Sequence, residues 1–131
     1  MYKFILVTLL AIICGDVMAD WVKIGTNGNI TTYVALPSTD KTDNIVKMWG
    51  LVDLKDPGKE EAGKSFLSAK ALQEYDCQKT QVRKITLSFF SENMGSGNVV
   101  HTYMDAEKWK WAPVATGTLV ESMWKMACGK K

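Results

Sequence analysis

The chain has 131 residues and a formal net charge of +2, and 47% of its residues are hydrophobic. This length fits one domain with a modest core, and the near balance of charge implies no strong attraction to nucleic acid. Arg83 is the only arginine among 16 basic residues. Because arginine is the usual residue for phosphate recognition, we expect no nucleic-acid partner.

The first 19 residues have the pattern of a secretory signal peptide. Lys3 gives a positively charged start, residues 4–13 are apolar, and Ala19 ends a stretch with the spacing of a cleavage site. We predict cleavage after Ala19, which leaves residues 20–131 as one exported domain. The apolar run is shorter than the roughly 20 residues that span a bilayer. We therefore expect no transmembrane segment in the mature chain.

A lipoprotein signal is the alternative for the same leader. It would be cleaved before Cys14 and acylated there, but Ile13 stands where such signals carry a small residue. Retention of Cys14 would also leave an odd number of cysteines. We therefore favour an exported protein without a lipid anchor.

Alternation of polar and apolar residues with period two predicts strands along most of the exported part. The predicted strands are Trp21–Ile24, Ile30–Leu36, Ile45–Lys55, Ser65–Cys77, Lys79–Glu92 and Asn98–Asp105. Turns are predicted at residues 27–28, within the charged loop 56–61, and at residues 95–97. The fourth of these strands fits a helix nearly as well, and we favour a strand because a long strand follows it.

The C-terminal segment changes to helical spacing. Thr118 and Glu121 form a capping box at its start, and Gly129 suits its end. The apolar stripe between them consists of Leu119, Val120, Met123, Trp124 and Ala127. A helix of about ten residues is marginal alone in water, so we expect this stripe to pack on the concave face of the sheet. The predicted fold class is α+β, with about six antiparallel strands and one C-terminal helix.

Cys77 and Cys128 are the cysteines that remain after the predicted cleavage. In an oxidising compartment a disulfide between them is the expectation. It would close a loop of about 50 residues and contribute on the order of 4 kcal/mol in the chain-entropy account. Two free thiols and a metal pair are the alternatives, although a lone histidine and the lack of Cys-x-x-Cys disfavour a metal.

The chain shows no enzyme signature. His101 is the only histidine and lies in a predicted strand, where a lone histidine is more often a surface or half-buried residue than a catalytic base, and structural zinc usually takes three or four Cys/His ligands. Haem ligation by His101 with Met94 or Met104 is conceivable, but methionines are more simply core residues. A pair of acids could hydrolyse sugars, and the acidic residues near predicted strand ends that could form one are Asp53, Asp76 and Asp105. We predict a protein that is not an enzyme, needs no cofactor and has no metal site.

The best candidate for a contact surface is Lys108-Trp109-Lys110-Trp111. In an extended segment the two tryptophans would share one face and the two lysines the other. Such a surface could hold a sugar chain, an acidic polymer or a protein. The alternative is that both tryptophans cover the edge of the core.

A series of motifs extends in order from Trp21 to Cys128. The most specific is Tyr75-Asp76-Cys77 with a second cysteine at the end of a helix, and the next is a Trp-x-Leu-x-Asp strand. The remaining motif residues are Ile24, Tyr33, Val46–Asp53, Glu74, Arg83, Gly95–Val100, Trp109 and Pro113. Together these motifs resemble the surface-adhesin protein E family of proteobacteria.

The resemblance implies an antiparallel sheet whose concave face holds a C-terminal helix through the Cys77–Cys128 disulfide. It implies an exported, adhesin-like binding module in the periplasm or at the surface of a Gram-negative bacterium. The implied partner is a protein, either a host matrix or serum protein or another envelope protein. The alternative function is a small periplasmic structural or accessory subunit of an envelope assembly, without adhesion activity. No binding residue is implied by the resemblance.

Overall fold

The structure is a computed structural model that describes residues 20–36, 41–42, 44–104 and 109–129. The predicted leader with Cys14, and the sequence candidates Asp105 and Lys108, lie outside these ranges. Within the described ranges, no helix has the length and apolar character needed to cross a membrane.

One antiparallel sheet forms most of the domain. Its strands are β1 (Trp21–Asn27), β2 (Ile30–Ala35), β3 (Lys41–Thr42), β4 (Ile45–Lys59), β5 (Ser65–Asp76), β6 (Gln81–Phe90), β7 (Val99–Tyr103) and β8 (Ala112–Pro113). The six longer strands lie side by side in the order β1-β2-β4-β5-β6-β7, with β3 paired to β4 and β8 paired to β6. The prediction of about six antiparallel strands is confirmed, including the strand assignment of the ambiguous fourth segment. Among the six longer strands, those that follow one another along the chain are neighbours, as is usual in antiparallel sheets.

Strand β4 continues beyond its predicted end. The sequence predicted a turn within residues 56–61, but the strand runs from Ile45 to Lys59 and the turn follows at residues 60–64. The pairing with β5 shifts register across this stretch, so Pro57 lies in a bulge. The prediction was wrong because a Pro-Gly pair fits a bulge as well as a turn. Proline has no backbone N–H to donate to the neighbouring strand, and a residue in a bulge does not need to make that bond.

The connection between β6 and β7 is a folded loop rather than a simple hairpin turn. It includes a short 3₁₀ helix at Asn93–Gly95. The Asn93 side-chain amide donates to the Leu54 carbonyl at 2.8 Å, and the Met94 amide donates to Asp53 Oδ1 at 2.7 Å. These bonds hold the loop against β4 on the face that points away from the helix.

Helix α1 spans Leu119–Cys128 and packs on the other face. The Thr118 hydroxyl accepts from the Glu121 amide, and Gly129 ends the helix in the left-handed conformation, as the sequence predicts. Met123 and Ala127 pack into a cluster with the sheet residues Val34, Val46, Met48 and Tyr75. The Cys77–Cys128 disulfide is present, with a Cα–Cα distance of 5.7 Å. It joins the end of the helix to the end of β5, which confirms the predicted tether.

One row of residues crosses the helix-side face from its covered part to its open part. Its members are paired across five strands in the order Val34, Gly50, Ala71, Leu87 and Tyr103. Directly opposed residues in antiparallel strands point to the same face. A Cβ added to Gly50 would lie 3.3 Å from Met123 Cε, so the helix covers the row at that point. The principal contacts of α1 are with β1, β4 and β5, and the end of the row on β7 lies farther along the sheet.

Candidate binding site beside the edge strand

A groove of about 550 Å³ opens on the helix-side face beside β7. Its lining residues are Glu61, Leu87, Phe89, Thr102, Tyr103, Met104 and Trp109. Leu87 and Phe89 point into it together because alternate residues of a strand share a face. The Phe89 ring packs edge-to-face on Phe66 and Tyr103, with ring centroids 4.6 and 6.1 Å apart. The floor of the groove is therefore a packed aromatic surface.

Glu60 organises the turn at one end of the groove. Its Oε1 accepts from the Ala62 amide at 3.0 Å and from the Tyr103 hydroxyl at 3.3 Å, and its Oε2 accepts from the Lys64 amide at 3.3 Å. The Ala62 amide is the main cause that lowers the pKa of Glu60 from its ordinary 4.5, against the opposing effect of burial. Glu60 is therefore ionised at neutral pH and fixes the β4–β5 turn to β7.

Two carboxylates, those of Glu60 and Glu61, lie near Tyr103 at the same end of the groove. Burial raises the pKa of Tyr103, and the nearby carboxylates of Glu60 and Glu61 raise it further. The His101 ring lies against Tyr103, with ring centroids 4.3 Å apart. The groove thus combines an aromatic wall with carboxylates at one end, an arrangement that attracts a cation.

The predicted contact surface is divided between two environments. Trp109 lines the groove and Lys110 is exposed, whereas Trp111 stacks on Arg83, whose Cζ is 4.8 Å from the ring centroid. Arg83 also donates to Glu74 Oε1 at 2.6 Å. The two tryptophans do not share a face because the chain bends at Trp109 and does not continue as an extended strand. A role in binding stays a prediction for Lys108, Trp109, Lys110 and Trp111, of which Lys108 lies outside the described residues.

The acidic candidates from the sequence have structural roles. Asp76 Oδ1 accepts from the Gln78 and Lys79 amides at 3.0 and 2.9 Å and so caps the turn after β5. Asp53 holds the β6–β7 loop. These two aspartates therefore do not form an acid pair for hydrolysis. Across the described ranges, no group of three histidine, cysteine or acidic residues is arranged to hold a metal.

The haem ligands considered from the sequence are only partly brought together. Met94 lies in the loop on the face away from the helix, whereas His101 is paired with Phe89 on the helix side. Met104 borders the groove and is 71% exposed. Met94 and His101 therefore cannot bind one group from the same side of the sheet.

Sequence reasoning did not identify Glu60 or the groove itself. Glu60 was placed in a charged loop, because the turn was assigned to Pro57 and Gly58. The usable signal was Gly63, which adopts a positive φ of 90° three residues after Glu60 and so marks the true turn. Leu87 and Phe89 alternate within the predicted strand Lys79–Glu92 and so share a face, but no sequence signal showed that the helix would leave that face uncovered.

A family model described as surface-adhesin protein E matches residues 21–129. Crystal form II of Haemophilus influenzae protein E is similar at 16% identity and TM-score 0.65, covering 87% of this chain and 91% of that chain. A second structure of Haemophilus influenzae protein E gives 17% identity, TM-score 0.63 and 87% coverage of each chain. Protein E from non-typeable Haemophilus influenzae gives 16% identity, TM-score 0.62, and coverage of 87% of this chain and 78% of that chain.

At these identities the solved structures establish a shared fold. The comparison with curated proteins gives no match.

Proposed function

Because the chain belongs to the surface-adhesin protein E family, we propose that it is an exported binding module that makes protein contacts at the envelope or surface of a Gram-negative bacterium. The observation that carries this proposal is the family match over residues 21–129. The comparisons give no support to the alternative of a periplasmic accessory subunit.

The chemistry of the described residues supports binding rather than turnover. The ionised carboxylate of Glu60 is occupied by backbone amides, and Asp53 and Asp76 are occupied in the same way. A catalytic acid or base must instead be free to reach a substrate. The groove beside β7 is open, apolar and partly acidic, which suits recognition of a protein surface.

Export through the predicted leader is part of the proposal. Cleavage after Ala19 would deliver residues 20–131 to an oxidising compartment, where the Cys77–Cys128 bond can form. Intact mass of the native protein tests this step, because cleavage, acylation of Cys14 and disulfide formation each change the mass by a different amount. A mass that includes a lipid on Cys14 would contradict the unacylated form.

Adhesion is tested with cells and with purified protein. Cells that produce the protein are expected to bind immobilised matrix or serum proteins better than cells that lack it, and fractionation is expected to place the protein at the surface. Equal adhesion by both strains, with the protein confined to the periplasm, would overturn the proposal. Crosslinking to a stable periplasmic partner would then favour the accessory-subunit alternative.

A further inference from the structure

Strand β7 has an outer edge without a strand partner among the described residues. It pairs with β6 on one side only, and Val99 and Met104 near its two ends are 57% and 71% exposed. An unpaired edge presents a row of backbone N–H and C=O groups to any extended chain. The other edge of the sheet, β1, lies next to the helix.

The groove next to this edge would receive side chains from an added strand. A strand paired to β7 would turn alternate side chains toward the helix-side face, where the groove lies. Phe89, Tyr103 and Trp109 present aromatic rings there, and Glu61 presents an exposed carboxylate. The Glu61 carboxylate is complementary to a cationic side chain on an otherwise apolar or neutral segment.

We propose that this site binds an extended, basic segment of a partner protein. The segment pairs with β7 as an additional strand and inserts a lysine or arginine side chain between Trp109, Tyr103 and Glu61. This inference rests on the proposed binding function and narrows its partner to a protein that exposes such a segment. Backbone pairing supplies sequence-independent affinity, and the groove supplies the preference for a positive charge.

The test uses the exported, disulfide-bonded protein and short synthetic peptides of alternating valine and threonine with polar ends. Two peptides differ only in a central lysine or glutamate, and a third carries the lysine with N-methylated backbone amides. Fluorescence anisotropy of labelled peptides is expected to give about tenfold tighter binding of the lysine peptide than of the glutamate peptide. N-methylation is expected to abolish binding, because it removes the donors that pair with a strand edge.

Location is tested by nuclear magnetic resonance and by variants. The lysine peptide is expected to shift the backbone amides of residues 99–103 and the indole of Trp109. Glu61→Gln is expected to remove most of the preference for lysine over glutamate. Glu92→Gln, which changes an exposed glutamate in the β6–β7 loop, is the matched control and is expected to keep the preference.

Several outcomes would overturn the inference. They are equal affinity for both peptides, an absence of binding, shifts confined to β1 or to the face away from the helix, and concentration-dependent pairing of β7 with a second copy of this chain. The adhesion assay separates this inference from the proposed function. If the peptides do not bind but the intact protein still binds matrix or serum proteins, only this inference is overturned. If neither the peptides nor the matrix and serum proteins bind, the proposed function is overturned as well.

Discussion

The two ends of the helix-side face differ in what covers them. Under helix α1, Val34 and Tyr75 are fully buried and Met48 is 2% exposed. Toward β7, Leu87 and Tyr103 lie on the same face but remain only partly buried. Ten helical residues extend about 15 Å, which is roughly three strand spacings of about 4.8 Å. The helix is therefore too short to cover a sheet of six strands, and the uncovered apolar remainder forms the groove.

The covered end is held by a covalent bond as well as by packing. The Trp124 indole donates to the Asp76 carbonyl at 2.9 Å, next to the Cys77–Cys128 bond. The open end is held by non-covalent contacts, chiefly the hydrogen bonds of Glu60 in the β4–β5 turn. The covered end therefore contributes more to the stability of the fold, and the open end remains accessible to a partner.

Removal of the disulfide should have the largest effect. Replacement of both Cys77 and Cys128 by serine is expected to lower the free energy of unfolding by about 4 kcal/mol, because the unfolded chain regains the freedom of a 51-residue separation. Urea unfolding followed by tryptophan fluorescence measures this loss, and the reduced wild-type protein is the control. A loss below about 1 kcal/mol would show that packing alone holds the helix.

Replacement of an apolar side chain by alanine should lower the free energy of unfolding more at the covered end of the face than at the open end. Met123→Ala is expected to lower the free energy of unfolding by about 3 kcal/mol, since the side chain is 8% exposed and leaves a cavity over Gly50. Leu87→Ala, in the same cross-strand row but beside the open groove, is expected to cost about 1 kcal/mol. Both are measured by chemical denaturation at neutral pH. Equal losses would contradict the distinction between a covered and an open end.

Glu60→Gln should destabilise the open end in a pH-dependent way. Because the folded-state pKa of Glu60 lies below 4.5, its ionised form stabilises the fold above that pH, and the stabilisation is lost as the pH falls through the folded-state pKa. In the variant, a side-chain N–H₂ replaces an oxygen that accepts from backbone amides. The melting temperature is expected to fall at neutral pH and to approach that of the wild type in acid.

The matched control for Glu60→Gln is Glu61→Gln, since Glu61 is exposed and lies in the same turn. It is expected to keep the wild-type melting temperature at both pH values. A difference between wild type and Glu60→Gln that stays constant down to strong acid would contradict the assigned role of the carboxylate.

The smallest expected effect concerns the ion pair on the face away from the helix. Arg83 and Glu74 have side chains that are 33% and 14% exposed, and Arg83 also stacks on Trp111. Glu74→Gln is expected to lower the free energy of unfolding by less than about 1 kcal/mol, because the glutamine Oε1 can still accept from Arg83 and the stacking on Trp111 remains. A double-mutant cycle with Arg83→Met measures the interaction free energy between the two side chains. An interaction free energy well above about 1 kcal/mol would contradict this expectation.

Local patterns in the sequence predicted most of the elements. Period-two alternation located the long strands, the capping box located the start of α1, and Gly129 located its end. The pairing of Cys77 with Cys128 followed from the predicted export and the count of cysteines. These features depend on residues close together in the chain or on counting, so they can be predicted without the tertiary structure.

The candidate site depended on contacts between distant segments. The bulge at Pro57 moved the turn to residues 60–64, which brought Glu60 to Tyr103, 43 residues away in the chain. The bend at Trp109 separated it from Trp111. The sequence by itself determined the approximate positions of the long strands and of the helix that packs on one face of their sheet, because each follows from local periodicity. Only the tertiary structure decided which part of that face stayed open, because register shifts and the reach of a short helix across a wide sheet are properties of the assembled fold.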